Sequence, residues 1–244
     1  MNMYTIGLVL LLVQTTYCAT SPEEGNNFEG DMILTSYQRR MIENNDMNKR
    51  GAIIGHRWPG GVVPYTFHRS FFFDEQGKNV IRGAMKEWSD NTCVKFKKRS
   101  DERGYIQFQK PRKLGCASYV GYRRRRQVIK LSAGCLYHGI VAHEIGHALG
   151  FFHEQSRPDR DNYVKIIWKN IARKYRHNFQ KYGNINSLGE KYDYGSIMHY
   201  GKKAFSRNGM DTIKTLNGAA IGQRARLSRG DIKQMNKMYN CKER

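Results

Sequence analysis

The sequence predicts an α+β domain built in two halves that meet near Gly150. Three observations support this class: a helical apolar period over residues 74–91, four short strand-like runs between 93 and 132, and a second helical segment over 139–152. Residues after 150 are less regular and rich in Tyr and Lys. We therefore expect a sheet with helices in the first half and an irregular second half.

The first elements follow from turn signals and apolar spacing. A Pro-Gly-Gly turn precedes the apolar run 62–67, which predicts entry into a strand. The segment 74–91 places its large apolar residues on one helical face. These residues are Val80, Ile81, Ala84, Met85 and Trp88. The strand-like runs that follow read CVKFKK, YIQFQ, ASYVGY and QVIKLS.

Two further helices are indicated by their ends. The segment GIVAHEIGHALGFF is helical in pattern, and Gly150 is a plausible stop because glycine turns sharply without steric cost. Near the end of the chain, Ser228 and Asp231 have the Ser-x-x-acid spacing of a capping box. The spacing predicts a helix that begins just after Ser228.

The first fifty residues predict a leader. The apolar run 5–13 is too short to span a bilayer and is followed by small and polar residues, so we expect a signal peptide over residues 1–19; a membrane anchor is the alternative. Residues 20–50 are polar, rich in Asn and Glu, and end in Lys49-Arg50. This composition predicts a detachable pro-segment over 20–50 and a main domain over 51–244, with halves of about 51–150 and 151–244.

Charge and cysteine content fit an exported protein. The 244-residue chain has a net charge of +21, yet its first fifty residues hold six acids and four bases, so the basic excess lies in the main domain. Such a domain suits polyanions, anionic membranes or acidic substrates, and nucleic acid least of all in a secreted protein; the alternative is that the charge serves solubility alone. Beyond the leader remain four cysteines, which predict two disulfides with three possible pairings. They are Cys93, Cys116, Cys135 and Cys241.

The stretch HEIGHALGFFHE, residues 143–154, carries the chemistry. His143 and His147 are four apart, so on a helix they share one face and can hold one metal. Glu144 can reach a water on that metal, and the turn at Gly150 can return His153 as a third ligand. Three neutral imidazoles leave one position of a zinc ion open for water, as in catalytic sites.

A second motif extends this pattern. SIMHY, residues 196–200, together with the extended histidine motif resembles the Met-turn arrangement of the metzincins. The variant HExxHxxGFxHE with S-x-M-H-Y resembles the astacin family of zinc endopeptidases. GAIIG, GGVVPYTF, HEQSRPDRDNYV and IGQRARLSRGDI also look like astacin segments, and the similarity covers nearly all of 51–244. It implies a zincin-like catalytic domain of two subdomains with a cleft between them, and one zinc ion per subunit.

The resemblance also implies roles for individual residues. Glu144 would be the general base and then the proton donor to the leaving amine. Tyr200 would lie on or near the zinc and stabilise the oxyanion, and Met198 would form an apolar floor beneath the metal. The implied zinc ligands are His143, His147 and His153. From the residues alone, Met198 and Tyr200 are ordinary core side chains.

Two structural features follow from the same resemblance. Astacin cysteines pair outer with outer and inner with inner, which implies Cys93–Cys241 and Cys116–Cys135. Cleavage after Arg50 by a trypsin-like or furin-like protease would make Gly51 the mature N-terminus, with its ammonium buried near Glu154. A solvated Glu154 and a cut at Arg39-Arg40 are the alternatives.

The leader pentapeptide FEGDM, residues 28–32, resembles the astacin pro-segment motif F-x-G-D. In that motif the aspartate ligates zinc in place of the water, so we expect Asp31 to be the zymogen switch. Gly30 would let the backbone pass tightly through the cleft. We interpret Glu29 as merely polar.

One departure from the family pattern is the run Arg123, Arg124, Arg125 and Arg126 between the inner cysteines. It would lie beside the strand that pairs with substrate. A basic rim favouring acidic peptides or polyanions, a solvated loop and an internal convertase site all remain open. We expect protein or peptide substrates, no nucleic-acid partner and a monomer. The rival functions are a zinc-fold binding module without activity and a polyanion-binding structural protein.

Overall fold

The computed structural model describes residues 27–43, 56–183 and 185–242. A six-stranded sheet dominates the first half. The strands are β1 (Met32–Ile33), β2 (Val62–Phe67), β3 (Lys95–Lys98), β4 (Ile106–Gln109), β5 (Cys116–Tyr119) and β6 (Gln127–Leu131). Their order in the sheet is β1-β5-β6-β4-β2-β3, and all pairings are parallel except that of β5 with β6. The predicted α+β class is confirmed.

The long helix α2 (Glu75–Asn91) forms where its apolar spacing predicted. The Asp74 side chain caps it by accepting a hydrogen bond of 2.8 Å from the Gly77 N–H. Its apolar face is buried against the sheet and the next helix, and the indole of Trp88 donates to the Ala142 carbonyl oxygen at 3.0 Å. Burial of each large apolar side chain contributes roughly 1.5–3 kcal/mol to the free energy of folding, which stabilises the packing of α2 on the core.

Helix α3 (His138–Leu149) is buried along almost its whole length. It lies beside α2 and under the sheet, and it ends where Gly150 adopts φ 124°. That conformation is in the region that favours glycine. The chain therefore reverses direction immediately after the second histidine of the motif.

The second half has little regular structure. It contains a two-stranded antiparallel sheet of β7 (Val164–Ile166) and β8 (Ile213–Thr215), several short 3-10 turns, and helix α4 (Arg229–Met238). The capping box of Ser228 and Asp231 at the start of α4 is present. A separate aromatic cluster, centred on Phe179, Tyr200 and Phe205, forms its core.

Two disulfides tie the fold together. Cys93 pairs with Cys241 across 148 residues, and Cys116 pairs with Cys135 across 19 residues. These are the two pairs that the resemblance implied. The first joins the segment after α2 to the end of the described chain.

The leader segment 27–43 covers the open edge of the sheet. Strand β1 pairs in parallel with β5, in the register Met32 with Ser118. Helix α1 (Ser36–Glu43) follows, and the Gln38 amide donates to the Val120 carbonyl oxygen at 3.0 Å. The predicted signal peptide and the Arg50–Gly51 cut lie outside the described residues. Across 27–43, 56–183 and 185–242, no helix is both long enough and apolar enough to cross a membrane.

Candidate zinc site and catalytic centre

Three histidines converge beneath the sheet, and main-chain acceptors hold two of them, His143 and His147, in one tautomer. His143 Nδ1 donates to the Ile197 carbonyl oxygen and His147 Nδ1 to the Phe151 carbonyl oxygen, both at 2.8 Å. Because each Nδ1 carries the proton, each Nε2 has a free lone pair. His153 returns after the turn at Gly150, and all three rings are buried. The imidazoles are therefore arranged as metal ligands.

Asp31 completes this cluster from the leader. Its Oδ2 lies 3.1 Å from His143 Nε2, and its Oδ1 lies 3.4 Å from both His147 Nε2 and His153 Nε2. His143 and His147 have their Nε2 atoms 3.1 Å apart. Four donors bound to zinc at about 2.0–2.1 Å in a tetrahedron would be roughly 3.3 Å from one another. One carboxylate and three neutral imidazoles thus fit a zinc ion in both chemistry and spacing.

A tight turn brings Asp31 to this position. Asn27 and Gly30 exchange main-chain hydrogen bonds of 3.2 and 3.0 Å, and Phe28 and Met32 do the same at 3.1 and 3.0 Å. Gly30 adopts φ 87°, which favours glycine, and is itself buried. The Asp31 carbonyl oxygen accepts from the Ser118 N–H at 3.0 Å. The leader backbone is therefore fixed on both sides of the carboxylate.

Glu29 corrects the sequence interpretation, which treated it as merely polar. Its side chain is completely buried, and Oε2 lies 2.7 Å from His153 Nδ1. Oε1 accepts a hydrogen bond from the Ser156 hydroxyl. Burial raises the pKa of this carboxyl, whereas the His153 contact lowers it. Nothing in the sequence pattern revealed this partnership, because it joins residues more than 120 positions apart.

Glu144 is buried next to the cluster with neither carboxylate oxygen hydrogen-bonded within the described chain. Burial, reinforced by the negative charge of Asp31, raises its pKa well above the usual range. A buried carboxyl without hydrogen-bond partners binds a proton more strongly than a solvated one, because its charged form is poorly stabilised. Carboxyls with raised pKa values are common among the proton-transferring groups of active sites.

Met198 and Tyr200 reach the site from the turn after residue 195. An ideal Cβ at Gly146 would lie only 2.9 Å from Met198 Sδ, so the sulfur packs directly on α3 between the two helical histidines. The Tyr200 ring centroid is 4.6 Å from that of His153. The Tyr200 hydroxyl donates to the Glu29 carbonyl oxygen at 2.6 Å.

Asp231 holds this turn in place, a role that the sequence did not reveal beyond its capping box. Oδ1 accepts from the Ser196 hydroxyl at 2.7 Å, and Oδ2 accepts from the Ile197 N–H at 2.9 Å. The same Oδ2 accepts from the Ser228 N–H at 2.9 Å. One buried carboxylate therefore caps α4 and also orients the segment that carries Met198 and Tyr200.

Glu154, directly after His153 in the chain, is buried. It accepts from Arg157 Nη1 at 3.0 Å and from the Asp193 N–H at 2.8 Å, and burial raises its pKa to about 7. A small cavity of about 30 Å³ adjoins Glu154 and Arg157. Gly51, its predicted partner, lies outside the described residues.

The arginine run borders the sheet at the turn between β5 and β6. The Arg123 guanidinium lies 3.8 Å from the centroid of the Tyr119 ring, and Arg126 Nη1 donates to Gln107 at 3.1 Å. Arg124 and Arg125 are exposed. Arg123 therefore contacts β5, the strand that the leader covers.

Comparison with known proteins agrees with this geometry. Residues 52–240 match the family model described as Astacin, a peptidase family. The chain is 42% identical over 219 residues to the low choriolytic enzyme of Oryzias latipes, a match that covers 87% of this chain and 78% of that protein. It is 49% identical over 193 residues to mouse tolloid-like protein 1, covering 75% of this chain but only 19% of that protein.

A solved structure gives the same result. High choriolytic enzyme 1, a hatching enzyme zinc-protease from Oryzias latipes, superimposes with a TM-score of 0.71 at 40% identity, covering 76% of this chain and 94% of that chain. Fold and site together define a zinc metalloendopeptidase with a metzincin-type α+β catalytic domain. Its particular family follows from the match across most of the chain: the protein belongs to the astacin family.

Proposed function

We propose that the chain is a secreted zymogen whose mature form hydrolyses peptide bonds in extracellular proteins with Glu144 as general base. The observation that carries this proposal is the burial of Glu144, without hydrogen-bond partners in the described chain, beside a cluster of donors suited to zinc. Catalytic bases are commonly tuned by such burial.

The chemistry can be divided among residues of this chain. His143, His147 and His153 would hold the zinc, which when bound acidifies a water and polarises the substrate carbonyl. Glu144 takes the proton of the attacking water and passes it to the leaving amine nitrogen. The Tyr200 hydroxyl, once free of the leader, donates a hydrogen bond to the carbonyl oxygen as that atom gains charge.

In the precursor, Asp31 is the inhibitory group. Its carboxylate lies among the three imidazoles, in the position that a water needs. With no water there, Glu144 has nothing to deprotonate. The contacts of Glu29 with His153 and Ser156 keep this arrangement in place.

Activation would follow cleavage between Arg50 and Gly51 by a trypsin-like or furin-like protease. The new ammonium of Gly51 would then pair with Glu154. Support comes from the small cavity beside Glu154 and from a carboxyl whose burial raises its pKa to about 7, so that an added cation would favour its ionised form.

The domain order that we propose is a signal peptide over 1–19, a pro-segment over 20–50 and a catalytic domain over 51–244. Two disulfides support export, because such bonds persist in oxidising compartments. The apolar run near the N-terminus supports a signal peptide.

Substrate choice would reflect the basic rim at Arg123, Arg124, Arg125 and Arg126. Extended peptide would replace β1 along β5, where Arg123 already stacks on Tyr119. Acidic peptide side chains and soluble polyanions are the groups that this rim would attract.

Glu144→Gln tests the proposed function. After activation, the variant should hydrolyse casein about 10²–10⁴-fold more slowly than wild type because the base is lost, while zinc content stays at one ion per chain. Glu75→Gln is the matched control, since Glu75 lies on the exposed face of α2 and should leave the rate unchanged. Equal hydrolysis by Glu144→Gln and wild type would overturn the assignment.

A further inference from the structure

A cavity of about 360 Å³ opens between the end of strand β2, the start of α2 and the edge strand β3. Strand β3 lies at one edge of the sheet, whereas β5, next to the zinc cluster, lies toward the other. This cavity is therefore separate from the catalytic centre. Its volume is within the range of small-ligand sites.

Cationic side chains from separate elements converge on this cavity. Lys98 is in register with Tyr65 of β2, so both point to the same side of the sheet. The cations that line it are Arg69, Lys78, Arg82, Lys98 and Arg99. No carboxylate lines it within the described residues. Like charges held in one concavity repel one another, and a bound anion would relieve that repulsion.

Three of these cations, Arg69, Lys98 and Arg99, are exposed and have no ion-pair partner in the part of the chain that the structure describes. Arg99 is held by the Glu102 carbonyl oxygen and the Tyr105 ring, which leaves Arg69 and Lys98 as the cations without such contacts. Lys78 and Arg82 share the Glu75 carboxylate outside the cavity. The guanidinium of Arg69 and the ammonium of Lys98 therefore remain available to an external anion.

The floor and one wall of the cavity are aromatic. Tyr65 and Phe67 meet edge to face at 5.8 Å, and the rings of Phe67 and Phe71 are also 5.8 Å apart. Phe72 also lines the cavity and is 71% exposed. A large exposed aromatic side chain beside unpaired cations suits a ligand that has both an apolar face and anionic groups.

We propose that this cavity binds a sulfated saccharide unit of an extracellular polysaccharide. Sulfate groups would pair with Arg69 and Lys98, while the C–H face of the sugar ring would pack on Phe72. The site would hold the enzyme on a sulfated matrix without touching the zinc cluster. It is separate from the arginine run, and it does not depend on proteolytic activity.

The main test is binding of a heparin octasaccharide to the full-length precursor, measured by titration calorimetry at several salt concentrations. Arg69→Ser combined with Lys98→Ser should weaken binding about tenfold at low salt and make it less salt-dependent. Lys203→Ser combined with Lys214→Ser removes the same charge from exposed positions of the second half and should have little effect. Equal losses in both double variants would show that net charge alone attracts heparin, and would overturn the site.

Two variants that leave the net charge unchanged distinguish packing of the sugar ring on Phe72 from electrostatic attraction of the sulfate groups. Phe72→Ala should weaken binding roughly three- to tenfold. Tyr137→Ala is the matched control, because Tyr137 is 60% exposed and does not line the cavity. If both substitutions leave binding unchanged, or both weaken it equally, the proposed contact is wrong.

Two alternatives to the cavity, heparin binding at the arginine run and binding to a membrane, predict different results. Loss of heparin binding only in the variant that combines Arg123→Ser, Arg124→Ser, Arg125→Ser and Arg126→Ser would assign the polyanion to the arginine run and exclude the cavity. Retention on phosphatidylserine vesicles, sensitive to Phe72 and Phe73 alike and without heparin binding, would assign a membrane role instead. A desulfated octasaccharide should bind at least about tenfold more weakly than heparin, and equal binding would contradict recognition of sulfate.

Discussion

The Tyr200 hydroxyl donates a hydrogen bond to the main-chain carbonyl oxygen of Glu29 at 2.6 Å, although the two residues are 171 positions apart. The Glu29 carboxylate meanwhile contacts His153 and Ser156. One leader residue thus engages the tyrosine of the Met-turn segment and the third histidine together. Asp31 follows two residues later and contacts His143. A single short segment of the leader, residues 29–31, therefore contacts Tyr200 and the histidine cluster together.

Asp31→Ala should produce a precursor that hydrolyses peptides before any cut at Arg50. Removing the carboxylate frees the position among the three imidazoles, while the other leader contacts remain. The measurement is hydrolysis of a quenched fluorescent peptide by purified precursor, with its length checked by mass spectrometry.

Asn27→Ala serves as the control for that experiment, because Asn27 is exposed in the same leader and its side chain does not reach the cluster. This precursor should remain as inactive as wild type. An inactive Asp31→Ala precursor that still binds zinc would refute the aspartate switch.

Glu29→Gln should weaken zymogen latency less than Asp31→Ala does. A neutral amide oxygen is a weaker acceptor for His153 Nδ1 than a carboxylate, and loss of such a partner of a ligating histidine typically costs about 10–100-fold in metal affinity. Zinc competition with a chelator on the precursor measures this loss. Mature enzyme made from the same variant should match wild type, since the leader is gone; a defect that persists after activation would contradict the assignment.

Tyr200→Phe should lower kcat of the mature enzyme by about 10²–10³-fold, with KM and zinc content little changed. The hydroxyl is the only part removed, so the ring packing against His153 is kept. Steady-state kinetics on one peptide substrate gives both constants. A rise in KM at constant kcat would instead assign Tyr200 to substrate binding.

The two disulfides should differ in their contribution to stability. In the loop-entropy view, the 148-residue span of Cys93–Cys241 contributes about 5 kcal/mol and the 19-residue span of Cys116–Cys135 about 3 kcal/mol. Paired Cys→Ser variants, compared by urea unfolding of the precursor, measure the difference. A larger loss from the shorter loop would show that native packing, rather than loop closure, dominates.

Acidification should destabilise the fold through His199. Burial lowers its pKa to about 4, with its hydrogen bond to the Tyr200 carbonyl opposing the shift. Since the unfolded chain takes up the proton first, the contribution of His199 to stability is complete above a pH of about 6.5 and falls by about 3 kcal/mol as pH decreases toward 4.

Denaturant midpoints across a pH range of about 4–7 for wild type and His199→Gln measure this effect. The variant should show a flatter decline, because glutamine can still accept the hydrogen bond from the Tyr192 hydroxyl but does not titrate. Parallel declines in the two proteins would assign the acid sensitivity to other groups.

Local sequence determined the parts of this protein that depend on neighbouring residues. The period of α2, the capping box of α4 and the stop at Gly150 were all predicted, because each depends on residues within a few positions. The spacing of His143 and His147 fixed two imidazoles on one helical face for the same reason.

Tertiary structure alone decided the contacts that join distant segments. Each of three such contacts joins residues far apart in the chain. Glu29 contacts His153, Asp231 accepts from the Ile197 N–H, and Arg69 and Lys98 line the same cavity. A carboxylate in a sequence gives no sign of whether it will be solvated or buried against a histidine 124 residues away. Burial and pairing are set by packing of the whole chain, so the sequence determined which groups can do chemistry, and the fold decided which of them meet.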